Sequence, residues 1–278
     1  MNSKPRTQLQ FELAEARRAK LDGRLHVHAR FPSKLVPTRR DLIVYVPPDY
    51  PQGRNRYPVC YMQDGQNLFD PATAFGGQDW RVDVTADATA ERGETEAPII
   101  VGVYNAGEKR IVEYTPTRDR LHRKDGRADR YAEMLVREIK PFIDHEYRTL
   151  KTAPDTAIAG SSLGALAALV AVLDYPQVFG NAAALSPSVW WDERAILRRL
   201  DQFRSKARPR LWVDTGTQEG NNPQQSIADC RALREALLHK GWCEGENLRY
   251  VEIEGGTHSE GAWAARFGAV LAFLFPKR

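Results

Sequence analysis

The sequence is poor in cysteine and methionine, with three of each in 278 residues. Cys60, Cys230 and Cys243 are scattered, odd in number and without metal-ligand spacing. This excludes a disulfide framework and fits a reducing compartment. No uninterrupted apolar run approaches the roughly 20 residues of a membrane-spanning helix, so no membrane partner is expected. The polar start Met1-Asn2-Ser3-Lys4-Pro5-Arg6 is followed by no apolar segment. No signal peptide is therefore expected, and the expected location is the cytoplasm. Charge is close to balanced: 40 Lys and Arg against 36 Asp and Glu leave +4. No basic stripe or nucleic-acid motif accompanies that excess, so no nucleic-acid partner is expected. H-E-x-x-H, P-loop and G-x-G-x-x-G patterns are all missing, and no metal or organic cofactor is expected. Internal repeats and low-complexity segments are also missing.

What is present is an ordinary globular composition, 42% hydrophobic and 27% charged, long enough for one large α/β domain. Residues 7–21 read as a charged, weakly amphipathic helix. Residues 1–24 are therefore expected to be an appendage and 25–278 a single domain. Strands are expected at Leu25 to His28, Leu42 to Val46, Val59 to Met62 and Ile99 to Val103. The last two are nearly continuously apolar, as central strands covered on both faces should be. From residue 130 strands and helices alternate. Helices are expected at Tyr131 to Tyr147, Leu163 to Leu173, Glu193 to Phe203, Gln225 to His239 and Gly261 to Phe275. Strands lie between them at Thr156 to Ala159, Ala182 to Leu185, Arg210 to Val213 and Leu248 to Ile253. Such alternation implies a mostly parallel sheet with helices on both faces, and the early strands suggest antiparallel pairing at its start. Arg118 to Arg130 reads as a basic loop, either a solvated connection or a rim attracting anionic substrates.

The strongest chemical signal is Gly160-Ser161-Ser162-Leu163-Gly164. It follows an apolar strand and opens an Ala/Leu-rich helix, the context a G-x-S-x-G nucleophile turn requires. The bare pattern arises by chance in roughly one chain in ten, so the flanking strand and helix carry much of the weight. A small-residue helix start packed on a sheet is the alternative. The glycine spacing puts Ser162, rather than Ser161, at the apex. The helix N-terminus and the Leu163 N–H would then suit a developing oxyanion.

A serine nucleophile needs a base. Of six histidines, His26 and His28 alternate on an early strand, His122 lies in the basic loop, and His145 and His239 fall in helices. His258 follows Gly255-Gly256-Thr257 just past the last strand, where ligands gather in open α/β sheets. The acid should follow the preceding strand. Asp214 and Glu219 both qualify. Glu219 is favoured because a loop carboxylate can reach His258, whereas Asp214 is expected to cap the turn at Gly216. The order Ser162, Glu219, His258 is that of α/β-hydrolases.

These pieces resemble the esterase branch of the α/β-hydrolase superfamily that groups esterase D, enterochelin esterases and feruloyl esterases. The matching segments run from about Ser33 onward. They include Arg39 to Tyr50, Tyr57 to Asn67, Glu113-Tyr114-Thr115-Pro116, Pro141 to Asp144, Gly160 to Gly164, Ser186 to Trp191, Gly216 to Glu219, and His258 with Trp263. The resemblance implies an α/β-hydrolase fold and a small-molecule ester substrate such as an acyl sugar, a phenolic ester or a siderophore-type lactone. It implies that the loop Asp64-Gly65-Gln66-Asn67 supplies the second oxyanion N–H, from Gln66, with Asn67 facing the substrate. Arg110 would bind a carboxylate or catechol-like oxygen, or else pair with Glu113. Trp190 and Trp191 would wall the pocket, or else pack in the core. Two other functions fit the same residues: acyl transfer to an alcohol, and ligand binding without catalysis.

Overall fold

The two most apolar runs lie where their composition requires, in the middle of the sheet. Strands β3 (Val59–Gln63) and β4 (Ile99–Val103) are neighbours, parallel, and buried at every position. The computed structural model describes residues 23–119 and 125–277. The expected helix at 7–21, His122 and part of the basic loop lie outside them.

The remaining strands are β1 (Leu25–Phe31), β2 (Arg40–Tyr45), β5 (Thr156–Ser161), β6 (Asn181–Leu185), β7 (Arg210–Gly216) and β8 (Leu248–Ile253). They form one sheet in the order β1-β2-β4-β3-β5-β6-β7-β8. The β1–β2 and β2–β4 pairs are antiparallel and all others parallel. Side chains alternate between two cores, as the two-residue period of a strand dictates. Val59 and Tyr61 face one, Cys60 and Met62 the other.

Helices cover both faces. One core packs against α3 (Ala128–Met134), which passes through a π-helical turn at Leu135–Ile139 into α4 (Lys140–Glu146). The same core takes α5 (Leu163–Asp174), α6 (Trp191–Asp201) and α7 (Pro223–His239). The other takes α1 (Val82–Glu91) and α8 (Glu260–Leu274). No helix among the described residues is long and apolar enough to cross a membrane.

Three features depart from the sequence expectation. Helix α1 was not anticipated because V-D-V-T-A-D-A-T-A-E is rich in β-branched residues and Asp, which have low helix propensity; packing of Val82 and Ala86 against α8 outweighs that. The short helix α2 (Arg110–Tyr114) falls in a segment for which no helix was expected. In α6, Asp192, Glu193 and Arg194 have φ of 44°, 51° and 62°, so a right-handed helix begins only after Arg194. The left-handed turn is pinned by Thr117 donating to Asp192 at 2.7 Å, Asp192 N–H donating to Asp119 at 3.1 Å, and Arg194 donating to Asp229 at 2.8 Å.

Charge is also buried. Arg40 on β2 donates twice to Glu113 on α2, at 3.1 and 3.0 Å, with both side chains buried. Removing one partner strands the other charge out of water. Glu113→Ala is expected to lower the unfolding free energy by about 3 kcal/mol, read as a shifted midpoint in a urea titration. The solvent-exposed Arg92–Glu94 pair should show no comparable loss when Arg92 is replaced.

Candidate active site

The parallel strands end on one edge of the sheet, and the loops that leave β3, β5, β6, β7 and β8 carry the residues of interest. Ser162 stands between β5 and α5 with φ 56° and ψ −123°. An L-residue rarely adopts this conformation, at a cost of order 1–3 kcal/mol. The surroundings enforce it. Ser162 N–H donates to Leu185 O at 3.0 Å, and its carbonyl accepts from Ser188 N–H at 3.1 Å and Leu166 N–H at 3.2 Å. The turn is tight enough that a Cβ on Gly160 would lie 2.6 Å from the Gly164 carbonyl carbon and oxygen. Ser161 ends β5 and is buried, whereas Ser162 is partly exposed. Its Oγ lies 3.4 Å from Ser188 Oγ.

The loops after β7 and β8 are joined to each other. Thr217 N–H donates to Ile253 O and Gln218 N–H to Gly256 O, both at 2.9 Å, and Gly255 N–H donates to Thr217 Oγ1 at 2.8 Å. A Cβ on Gly216 would come within 2.2 Å of Gly256 O, so only glycine permits this approach. The joined loops bring Glu219 Oε2 to 2.9 Å from His258 Nδ1. The Glu219 side chain is 4% exposed and that of His258 38%. Burial alone would push the Glu219 carboxyl up. Hydrogen bonds from His258, Ser186 and the Gly216 N–H outweigh burial and hold it below the usual carboxylate range. The indole of Trp263 meets the imidazole edge-on at 4.9 Å. With Nδ1 bonded to the carboxylate, Nε2 is the nitrogen left to accept a proton. Among the described residues Nε2 makes no hydrogen bond, and the Ser162 hydroxyl is bonded to Ser188 rather than to His258.

Asp214 is fully buried and plays a different part. It does not cap the turn at Gly216. Its carboxylate takes two hydrogen bonds from Arg266, at 3.0 and 2.8 Å, and one from Trp212 Nε1 at 2.7 Å. Burial raises its carboxyl despite the Arg266 charge.

The loop after β3 turns at Asp64, with φ 57°, into a 3-10 turn at Gly65–Asn67. The N–H groups of Gln66 and Leu163 donate to no backbone carbonyl among the described residues. Three other expectations need correction. Arg110 does not pair with Glu113, whose partner is Arg40. It makes a two-point pair with Asp64, both bonds at 2.7 Å, so its guanidinium is already engaged by a carboxylate. Asn67 is buried and both ends of its amide are used: Nδ2 donates to Glu260 at 2.8 Å and Oδ1 accepts from Phe75 N–H at 3.0 Å. It ties the β3 loop to the start of α8 rather than facing a ligand. Trp191 is fully buried in the core and donates from Nε1 to Thr117 O at 3.1 Å. Trp190, by contrast, is 46% exposed.

Three residues of the site were not singled out from sequence. Ser186 and Ser188 flank Pro187 directly after β6. Glu260 is two residues past His258 in the first turn of α8, where burial and then the Asp64 charge raise its carboxyl. The one available signal was the position of Ser186-Pro187-Ser188 at a strand end; hydroxyls there are indistinguishable by sequence from turn residues.

Comparison with known proteins agrees with this architecture. The family model described as "Putative esterase" matches residues 33–274. The Bacillus subtilis protein YbbA is 24% identical over 247 residues, spanning 86% of this chain and 93% of YbbA. Ferri-bacillibactin esterase BesA of Bacillus subtilis is 27% identical over 231 residues, covering 76% of each chain. Among solved structures, the BES protein from Bacillus cereus superimposes with a TM-score of 0.71 at 22% identity, covering 90% of this chain and 94% of that one. The eight-stranded, mostly parallel sheet with its antiparallel edge is the α/β-hydrolase fold. The chain belongs to the "Putative esterase" family, and its chemistry is carboxylic ester hydrolysis.

Proposed function

We propose that the chain is a serine esterase that works through an acyl-enzyme, with Ser162 as nucleophile, His258 as base and Glu219 as the acid that orients it. The observation that carries this reading is the 2.9 Å Glu219–His258 bond, on the same edge of the sheet as a strained serine at the head of a helix. His258 Nε2 takes the Ser162 proton as Oγ attacks the ester carbonyl. The Leu163 and Gln66 N–H groups hold the oxyanion, each such donor being worth roughly 3 kcal/mol of barrier. His258 then delivers the proton to the leaving alkoxide. A water, deprotonated by the same nitrogen, hydrolyses the acyl-enzyme and frees Ser162. The substrate is a small or medium ester from the small-molecule pool. BesA, a relative named for cleaving a siderophore, supports a siderophore-type ester or lactone among the candidates, beside acyl sugars and phenolic esters.

Ser162→Ala is expected to lower kcat on 4-nitrophenyl acetate by a factor on the order of 10⁶, with the protein still folded by circular dichroism. Retention of most activity would falsify the assignment. Product analysis with added glycerol distinguishes water from an alcohol as acceptor.

The acid side of the pH profile gives an independent check. The Glu219 carboxyl is held below its ordinary value of 4.5, so its charge is present above that pH and is lost only as pH falls further. Glu219 should therefore contribute no protonation step to the kcat/KM profile above about pH 4.5. A steepening of the profile in that range that disappears in Glu219→Gln would mean that the carboxylate titrates there.

A further inference from the structure

Glu219 is held by more than the imidazole. Its other oxygen, Oε1, accepts from Gly216 N–H at 2.6 Å and from the Ser186 hydroxyl at 2.5 Å. A hydroxyl has one proton to give and two lone pairs to receive. Both receiving directions at Ser186 are taken, by Trp263 Nε1–H and by an Arg266 N–H, each at 2.9 Å. With two donors aimed at its oxygen, the Ser186 proton has only Glu219 to go to.

The donors are themselves fixed. Arg266 is locked on Asp214 by two bonds, and Asp214 also accepts the Ser186 N–H at 3.1 Å. Ser186, Asp214, Trp263 and Arg266 are all buried. Ser186 has φ 47°, an unfavourable value for a serine. Its N–H contacts to the Asp214 carbonyl at 3.0 Å and to the Asp214 side chain hold it there. The terminal torsion of a glutamate is soft, with a broad two-fold preference. A single bond to His258 on Oε2 would leave the carboxylate free to rotate. Two fixed donors on Oε1 stop that rotation.

We propose that Ser186 is a positioning residue of the esterase reaction, its hydroxyl proton aimed by Trp263 and Arg266 so that Glu219 presents Oε2 to His258 Nδ1. Ser186 touches no reacting atom and acts through Glu219 alone. The inference rests on the serine-esterase reading above.

The test is a double-mutant cycle on kcat and KM for a neutral aryl acetate, with Ser186→Ala, Glu219→Ala and the pair combined. Ser186→Ala should lower kcat about tenfold with KM near that of the parent. In the Glu219→Ala background the same change should cost less than about twofold, because the group it acts through is gone. Trp263→Phe keeps a ring against His258 and removes one donor; its loss, too, should vanish when Glu219 is alanine. That second cycle decides the matter if Ser186→Ala does not fold. Equal losses in both backgrounds, or a Glu219→Ala variant as active as the parent, would overturn the proposal. An active Ser162→Ala protein would instead remove the serine-esterase reading itself.

Discussion

A carboxylate buried at the end of β7 and still charged is the constraint around which this site is organised. Glu219 is 3% exposed, and taking such a group out of water is costly unless its lone pairs are filled. They are filled by the N–H of Gly216 at the end of β7 and by a hydroxyl and an imidazole from the loops that follow β6 and β8. The convergence depends on the sheet order. β5, β6, β7 and β8 are consecutive neighbours running the same way. Their C-terminal ends therefore deliver Ser162, Ser186, Glu219 and His258 to one edge in chain order. An alternative register would leave Glu219 buried without donors, so the polar network and the strand pairing support each other.

Most of the architecture was legible in sequence because it rests on local patterns. All eight strands fall where strands were expected, most of them on apolar runs, and the elbow declares itself through two glycines, of which Gly160 could carry no side chain without meeting the Gly164 backbone. The proposed order of nucleophile, acid and base needed only the position of each candidate after its strand. Illegible were the partners set by contacts remote in sequence. Asn67 meets Glu260 across 193 residues, and Arg40 meets Glu113 across 73. Nothing in a single sequence distinguishes a partly buried arginine waiting for a substrate carboxylate from one already paired with Asp64. Trp190 and Trp191 show the same limit: adjacent in sequence, one half exposed and one fully buried, because the chain reverses into a left-handed turn directly after them.

The engagement of Arg110 has a reason in the electrostatics of the elbow. The Asp64 carboxylate packs against the first turn of α5; its Oδ2 is 3.1 Å from where a Cβ on Gly164 would lie. The N-terminus of α5 carries the positive end of the helix dipole, which favours any negative charge brought to it. An unpaired Asp64 would thus compete with an oxyanion for the same field. The two-point bond from Arg110, with a further bond from Asn105 Nδ2 at 2.7 Å, neutralises that carboxylate in place. On the proposed mechanism this leaves the oxyanion as the uncompensated charge for the Leu163 and Gln66 N–H groups to stabilise, with Arg110 contributing through Asp64.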